Sequence, residues 1–508
     1  MRGSVVVIIA FLSVVLALWD PHDEVRQRSH QGPLVHGRAL PDEKSNETSR
    51  ARELKYFNDQ TDGMSFLVNG IGAPEVGFDI GESYAGSLPN TPSGNSTLFF
   101  WFFPSDNPRA SDEIVVWLNG GPGCSSMIGL LQENGPFIWR PGTYAPVRNM
   151  YSWVNLTHMV WIDQPSGTGF SPGPPSVQDE MDVANQFNDF WKRFVDTFGL
   201  KNRKVYLTGE SYAGQYIPYI ADDVLNRNHT EYFNLKGVKS IAPVMSDEAV
   251  QAQVPVGMAV QRFQNVLGLN ETFMEYLREK DETCGYAKFM DKALEFPPPG
   301  PMKALTPNAK NCNVWLDMMT AATYVNPCFN VYHVTASCPH LWDQMDANER
   351  SIGPGHYMNR TDVQQAIDMP PTNYKTCVEY SMFGPQGDPS PLSAFGPLPR
   401  VIKKTNNTIL AQGLLDFRIF ANGTLAAIQN MAWNGAQGFQ GAPSKKLFVP
   451  YHHGLISTLQ KTGPNPWDAG AGHLGTTHTE RGLTFVTVDL AGHRKWRATD
   501  SKVLTARI

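Results

Sequence analysis

A mostly parallel β-sheet covered by helices on both faces is the α/β fold that this chain of 508 residues predicts. Three observations lead to it: short apolar runs of strand length recur, helical stretches alternate with them, and two of the runs end in glycine-rich turns. The strand-like runs are residues 97–103, 113–118, 158–162, 204–208, 240–244, 408–412, 446–449 and 483–490. The clearest helical stretch is 181–198, where Val183, Phe187, Phe190, Trp191 and Phe194 recur at helical spacing. Apolar strands separated by helices belong in a sheet buried on both sides.

In chain order, Met1-Arg2-Gly3-Ser4 and an apolar run over residues 5–18 read as a signal peptide, residues 1–17, cut after Ala17. The run is too short for a membrane span, which takes about 20 apolar residues. No later segment is apolar enough to cross a membrane. Residues 18–57 are polar and aperiodic, an N-terminal arm or pro-segment. Asn-x-Ser/Thr sequons begin at Asn46, Asn95, Asn155, Asn228, Asn270, Asn359, Asn406 and Asn422, candidates for glycosylation in the secretory pathway. The six cysteines form an even set, as expected of a chain oxidised in that pathway. A net charge of -6 and the absence of a long basic run argue against nucleic acid as a partner.

The chemistry starts at Gly209-Glu210-Ser211-Tyr212-Ala213-Gly214, directly behind the run at 204–208. A serine at a sharp strand-to-helix turn is the nucleophile elbow of α/β hydrolases, with its hydroxyl projected at the sheet edge. Gly209 and Ala213 are small enough to let strand and helix approach, although Ala213 stands where a second glycine is usual. Upstream, the run at 113–118 leads into Asn119-Gly120-Gly121-Pro122-Gly123-Cys124-Ser125-Ser126. Such a loop can aim backbone N–H groups at an anion. An oxyanion hole takes one donor from this kind of loop and one from the residue after the nucleophile, here Gly121 and Tyr212.

Together, Trp117-Leu118-Asn119-Gly120-Gly121-Pro122-Gly123-Cys124-Ser125-Ser126 and Gly209-Glu210-Ser211-Tyr212-Ala213-Gly214 resemble the serine carboxypeptidase family, its secreted fungal members above all. Glu133-Asn134-Gly135-Pro136, Tyr151-Ser152-Trp153 and Asp163-Gln164-Pro165-Ser166-Gly167-Thr168-Gly169-Phe170-Ser171 extend the resemblance, which runs from about residue 80 to His493. It implies an α/β-hydrolase core at 58–246 and 400–493, with a largely helical, disulfide-stapled cap inserted at 247–399. The insertion also follows from the long interval between Ser211 and the best acid, which holds five of the six cysteines and Pro297-Pro298-Pro299-Gly300-Pro301. The resemblance implies a Cys124–Cys377 bridge. Cys284–Cys312 and Cys328–Cys338 are then the natural remainder, although six cysteines allow 15 pairings in principle.

Hydrolases of this class carry Ser, Asp and His in that chain order. Asp416, in Gly413-Leu414-Leu415-Asp416-Phe417 after the run at 408–412, falls where the family's catalytic acid sits. Two histidines compete for the third place. Gly470-Ala471-Gly472-His473 matches a family string but reads as a glycine-rich loop with no strand before it. His493 follows a convincing last strand, where a triad histidine belongs, and is the preferred base. Members of the family continue after this histidine with Met-Val-Pro or similar; here Arg494-Lys495-Trp496-Arg497 begins an atypical basic tail, residues 494–508.

The resemblance implies a peptide's C-terminal carboxylate as ligand, gripped by Asn119, the Gly120 backbone and the acids Glu133 and Glu210. Two adjacent carboxyls raise one another's pKa, so one stays neutral and donates a hydrogen bond. The expected activity is therefore release of C-terminal amino acids, favoured at acidic pH, through an acyl-enzyme on Ser211. No cofactor and no metal are expected: His-Glu-x-x-His is absent, and His452-His453 reads as a polar loop. Two alternatives are an acyltransferase on the same scaffold and a secreted glycoprotein impaired by its abnormal tail. Extracellular and vacuolar destinations both fit the leader.

Overall fold

Thr97-Leu98-Phe99-Phe100-Trp101-Phe102-Phe103 has no polar face, and a strand sends successive side chains to opposite sides of its sheet. Phe99, Trp101 and Phe103 join one buried cluster, and Leu98, Phe100 and Phe102 join another. The run at 113–118 divides in the same way, Val115 and Trp117 to one side and Ile114, Val116 and Leu118 to the other. Strands of this kind must lie inside a sheet covered on both faces.

The computed structural model describes residues 54–56, 62–110, 112–303, 305, 311–345, 356–449 and 472–494. The signal peptide, nearly all of the polar arm, Asn46, His452-His453 and the tail beyond Arg494 lie outside the described residues. The main sheet comprises β1 (Leu67–Val68), β2 (Ser83–Pro89), β3 (Thr97–Phe103), β4 (Glu113–Leu118), β5 (His158–Asp163), β6 (Lys204–Glu210), β7 (Asn234–Ile241), β8 (Thr408–Gly413), β9 (Lys445–Val449), β10 (Gly472–Glu480) and β11 (Leu483–Val488). Among the described residues their spatial order is β1-β2-β3-β5-β4-β6-β7-β8-β11-β10-β9. The block from β5 to β11 is parallel throughout, and the flanking pairs are antiparallel.

Two helices cover one face. α1 (Glu180–Phe198) is capped by Asp179, whose side chain accepts from the Met181 and Asp182 N–H groups, and it ends at left-handed Gly199. α2 (Ala213–Arg227) follows Ser211. Between β7 and β8 the chain forms the inserted segment, with α3 (Val256–Arg262), α4 (Glu271–Thr283), α5 (Tyr286–Ala293) and α6 (Val314–Val325). Then come α7 (Leu398–Thr405) before β8 and α8 (Ala421–Asn430) after it. The insertion is not a detached lobe: Val250, Phe289, Met318 and Phe329 share a core with Leu410 of β8 and Phe485 of β11. Cys124–Cys377, Cys284–Cys312 and Cys328–Cys338 are bridged. Among the described residues no helix is long and apolar enough to cross a membrane.

The sequence reading needs three corrections. The strand expected at 240–244 is Asn234–Ile241. Lys236, Gly237 and Lys239 disguised it, yet Lys239 is buried, its ammonium 4.6 Å from the Trp153 ring centroid. β1 and β2 were not foreseen, because Ser83-Tyr84-Ala85-Gly86-Ser87 lacks the β-branched signature of a strand. His473 is not in a loop: it sits in β10, paired with Phe448 of β9, and is exposed on an antiparallel strand.

Candidate active site

Strand register places the site. β4 and β6 run side by side with Leu118 opposite Gly209, so the Asn119 loop and Ser211 leave the same sheet edge together. β8 and β11 pair Gly413 with Val488, which starts the Asp416 and His493 loops side by side at that edge. Carboxyl ends of parallel strands are where open α/β sheets build sites.

Ser211 stands between β6 and α2 with φ of 60°. A left-handed serine costs about 1–3 kcal/mol and persists only where neighbours over-determine it. Here they do: the Ser211 N–H donates to the Ile241 carbonyl at 2.9 Å, and its own carbonyl accepts from Val244 and Gly214 N–H groups at 2.9 Å. The tight approach requires Gly209, where a Cβ would lie 2.1 Å from the Leu118 oxygen and 2.8 Å from the Ala213 Cβ.

The glycine loop is tied at both ends. Cys124 N–H donates to the Gly120 carbonyl at 3.1 Å, Ser125 N–H to Thr376 at 2.8 Å, and Val378 N–H to Gly123 at 3.1 Å, around the Cys124–Cys377 bridge. Ser125 Oγ and the Ser126 N–H both donate to buried Asp163 Oδ1, at 2.7 and 2.8 Å. Burial pushes Asp163 up to about 6, against the pull of these donors. The loop presses on the elbow: a Cβ on Gly120 would lie 2.3 Å from the Tyr212 nitrogen. Among the described residues neither the Gly121 nor the Tyr212 N–H donates to a backbone carbonyl or side chain. Both line a cleft of about 510 Å³ with Ser211.

Asp416 and His493 are buried, at 2% and 1% exposure, and His493 Nδ1 lies 2.8 Å from Asp416 Oδ2. Gln412 Nε2 donates to the same oxygen at 2.9 Å, while the Arg418 and Ile419 N–H groups donate to Oδ1 at 2.8 and 3.0 Å. An acceptor-only carboxylate so surrounded takes the Nδ1 proton as its fourth donor and leaves Nε2 as the imidazole's acceptor. The His493 N–H donates to the Tyr332 carbonyl at 2.8 Å, and the two rings lie 5.1 Å apart. Exposed His473 has no part in this arrangement.

Glu210, next to Ser211, is 1% exposed and accepts from Asn119 Nδ2 at 2.8 Å. Asn119 is fixed in turn, its Oδ1 accepting from Trp117 Nε1 at 2.8 Å and the Gly129 N–H at 3.1 Å. Buried Glu133 is set against Glu210, and each keeps one carboxyl oxygen that no N–H or hydroxyl donor reaches among the described residues. Burial, and then the Glu210 charge, raise Glu133 well above the usual carboxyl range, with Arg494 opposing. Burial also raises Glu210, while Arg494, His493 and the bond from Glu133 pull it back. The proton therefore sits on Glu133, which donates to Glu210.

Sequence reasoning missed three contributors. Gln412 had a signal, an amide closing the apolar run Ile409-Leu410-Ala411; Tyr332 had none. Arg494 read as the first residue of an odd tail, yet its Nε lies 3.9 Å from Glu210 Oε1 and its guanidinium 4.7 Å from the Tyr332 ring centroid. A larger cleft of about 910 Å³, lined mostly by the inserted segment, shares Tyr332 but does not include Ser211, Asp416 or His493.

Among known families, the model of the serine carboxypeptidases matches residues 74–505. The chain belongs to the serine carboxypeptidase family. It is 56% identical over 429 residues to a carboxypeptidase Y homolog of Arthroderma benhamiae, covering 84% of this chain and 83% of that protein. It is 41% identical over 435 residues to serine-type carboxypeptidase F of Aspergillus niger, covering 83% and 82%. Its fold resembles that of Kex1Δp, a prohormone-processing carboxypeptidase from Saccharomyces cerevisiae, with a TM-score of 0.65 at 23% identity over 88% of this chain and 94% of the other.

Proposed function

We propose that this serine carboxypeptidase releases C-terminal amino acids with Ser211 as nucleophile, His493 as base and then acid, and Asp416 holding the imidazole. Ser211 Oγ adds to the last peptide carbonyl as His493 Nε2 takes its proton. The Gly121 and Tyr212 N–H groups receive the developing oxyanion. His493 returns the proton to the leaving amine, the C–N bond breaks, and an acyl-enzyme remains on Ser211. Water, deprotonated by the same nitrogen, then hydrolyses the ester.

The observation that carries the exopeptidase reading is the buried Glu133–Glu210 pair beside Ser211, joined to Asn119. A terminal carboxylate needs donors: the Asn119 amide and the Gly120 N–H supply two, and the Glu133–Glu210 pair supplies a further one only where both acids are neutral. Both acids are raised, so they are neutral or share a proton at low pH and ionise as pH rises. Carboxylate binding is then strongest in acid and fades toward alkaline pH. An acyltransferase would share the triad without needing this grip. A secretory route, extracellular or vacuolar, is supported by the leader and the three bridges. Of the described sequons, Asn95, Asn155, Asn228, Asn270 and Asn406 are exposed candidates for glycans, and Asn422 is half-buried in α8. Asn359 is exposed, but its amide bonds the Tyr374 backbone at both ends.

The test is hydrolysis of a blocked dipeptide and its C-terminal amide at about pH 5, with Ser211→Ala as control. Turnover of the acid with little of the amide supports the reading. Equal turnover of both, or turnover that survives Ser211→Ala, removes it.

A further inference from the structure

A second buried acid lies behind the elbow, and none of the steps above uses it. Glu180 opens α1 and is 0% exposed. Its backbone N–H donates to Ser390 Oγ at 2.8 Å, while its carboxyl is set against Asp388 and receives a hydrogen bond from no N–H or other hydroxyl among the described residues. Asp388 has its own donors: Ser390 N–H reaches Oδ1 at 2.9 Å, and the Tyr212 hydroxyl reaches Oδ2 at 2.7 Å. The Tyr212 ring is wedged against Tyr216, 5.2 Å away, and Phe383, 6.1 Å away. Facing Glu180 are Asp179 of its own helix cap, Asp388 of the 384–392 loop, Tyr212 at the N-cap of α2, and Tyr216 and Tyr219 within α2, with Arg400 of α7 beyond Tyr219.

Among the described residues no cation acts on Glu180, and a buried carboxylate without donors is strongly disfavoured. The carboxyl O–H of Glu180 is then a donor to Asp388, and burial and Asp388 raise Glu180 well above its ordinary range.

We propose that Glu180, donating its carboxyl O–H to Asp388, acts with Asp388 as a positioning residue for Tyr212, whose backbone N–H receives the oxyanion. The inference rests on the serine-hydrolase reading of Ser211 and adds to it a second acid-dependent element. The two elements act differently. Glu133 and Glu210 govern how a carboxylate is bound, so they appear in KM for substrates with a free terminus. Glu180 governs where the Tyr212 N–H points, so it appears in kcat for any acyl substrate. When Glu180 loses its proton, two anions meet behind Tyr212, the Asp388 acceptor shifts, and the oxyanion donor moves with the ring it anchors.

The experiment removes the carboxylate from the substrate. kcat for an N-blocked dipeptide ester is measured from pH 4.5 to 8 on the full chain, Glu180→Gln and Tyr212→Phe. Glutamine donates to Asp388 at every pH, so the ratio of kcat at pH 7.5 to that at pH 5 should rise roughly tenfold in Glu180→Gln, because losing an oxyanion donor outright costs about 100- to 1000-fold and a shifted one costs part of that. KM for the ester should keep the wild-type pH dependence. Tyr212→Phe cuts the link and should raise the same ratio while lowering kcat throughout; it carries the test if Glu180→Gln does not fold. A Glu180→Gln profile parallel to the wild type, or depressed by one factor at every pH, overturns the proposal. Wild-type turnover with superimposable profiles overturns this inference alone. A wild type that cleaves neither ester nor peptide overturns the serine-hydrolase reading and this inference with it.

Discussion

Replacing Asp416 by Asn changes one atom, and the surrounding hydrogen bonds decide where that atom goes. If the new NH₂ took the Oδ1 position it would face two backbone donors, Arg418 at 2.8 Å and Ile419 at 3.0 Å. It therefore takes the Oδ2 position, against Gln412 Nε2 and His493 Nδ1. Gln412 cannot turn its amide over to help, because Nε2 also donates to the Ile419 carbonyl at 2.7 Å and Oε1 accepts from Thr424 Oγ1 at 3.0 Å. The imidazole yields instead: Nδ1 becomes the acceptor, the proton moves to Nε2, and the nitrogen proposed as the base can no longer accept one. The same change in a serine-protease triad lowers kcat about 10⁴-fold, which corresponds to about 5.4 kcal/mol of transition-state stabilisation. The crowded donors at Gln412 should add a stability loss of about 1–3 kcal/mol. Initial rates on a blocked dipeptide near pH 5, alongside denaturant unfolding, measure both quantities. A variant that folds and keeps more than about a hundredth of the wild-type kcat would refute the tautomer argument.

Three further outcomes follow from the same geometry. Glu133→Gln, which donates at every pH, should flatten the alkaline rise in KM for free-acid substrates; an unchanged KM profile would show that the acid pair does not titrate in binding. Arg494→Met removes a cation that pulls both Glu133 and Glu210 toward ionisation, so the pH at which free-acid kcat/KM declines should move up, and a downward move would contradict that sign. Converting Cys124 and Cys377 together to Ala opens a closure of 253 residues, an entropic loss of about 5 kcal/mol in the chain-constraint model. It also unties the glycine loop, so melting temperature and kcat should fall together, and a fall in only one would separate the bridge's two roles.

The elbow at Ser211 was legible because its geometry is written in adjacent residues. A buried strand, small Gly209 and Ala213, and a following helix specify an elbow wherever the chain runs, and Ser211 takes the positive φ this demands. Glycine-loop chemistry reads the same way, from Asn119 to Gly123. Asp416 and His493 were harder, because neither has a distinctive neighbourhood; chain order and the strand before each singled them out. The strand at 234–241 was misplaced because Lys239 is buried in it, and no local rule anticipates a lysine inside a sheet. The same limit hid β10: Gly472 and Gly475 suppressed the strand signal, and His473 was read as part of a loop.

From its residues alone the chain determined the alternation of strands and helices, the elbow, the glycine loop and the identity of the family motifs. All of these are contiguous, and backbone conformation answers chiefly to nearest neighbours. Tertiary structure decided which acids meet and which one keeps a proton: Glu133 against Glu210, Glu180 against Asp388, Arg494 beside Glu210. Those outcomes depend on burial and on partners brought in from distant strands and loops. A carboxyl's charge is set by the dielectric and the donors around it, and a linear sequence specifies neither until the sheet is assembled.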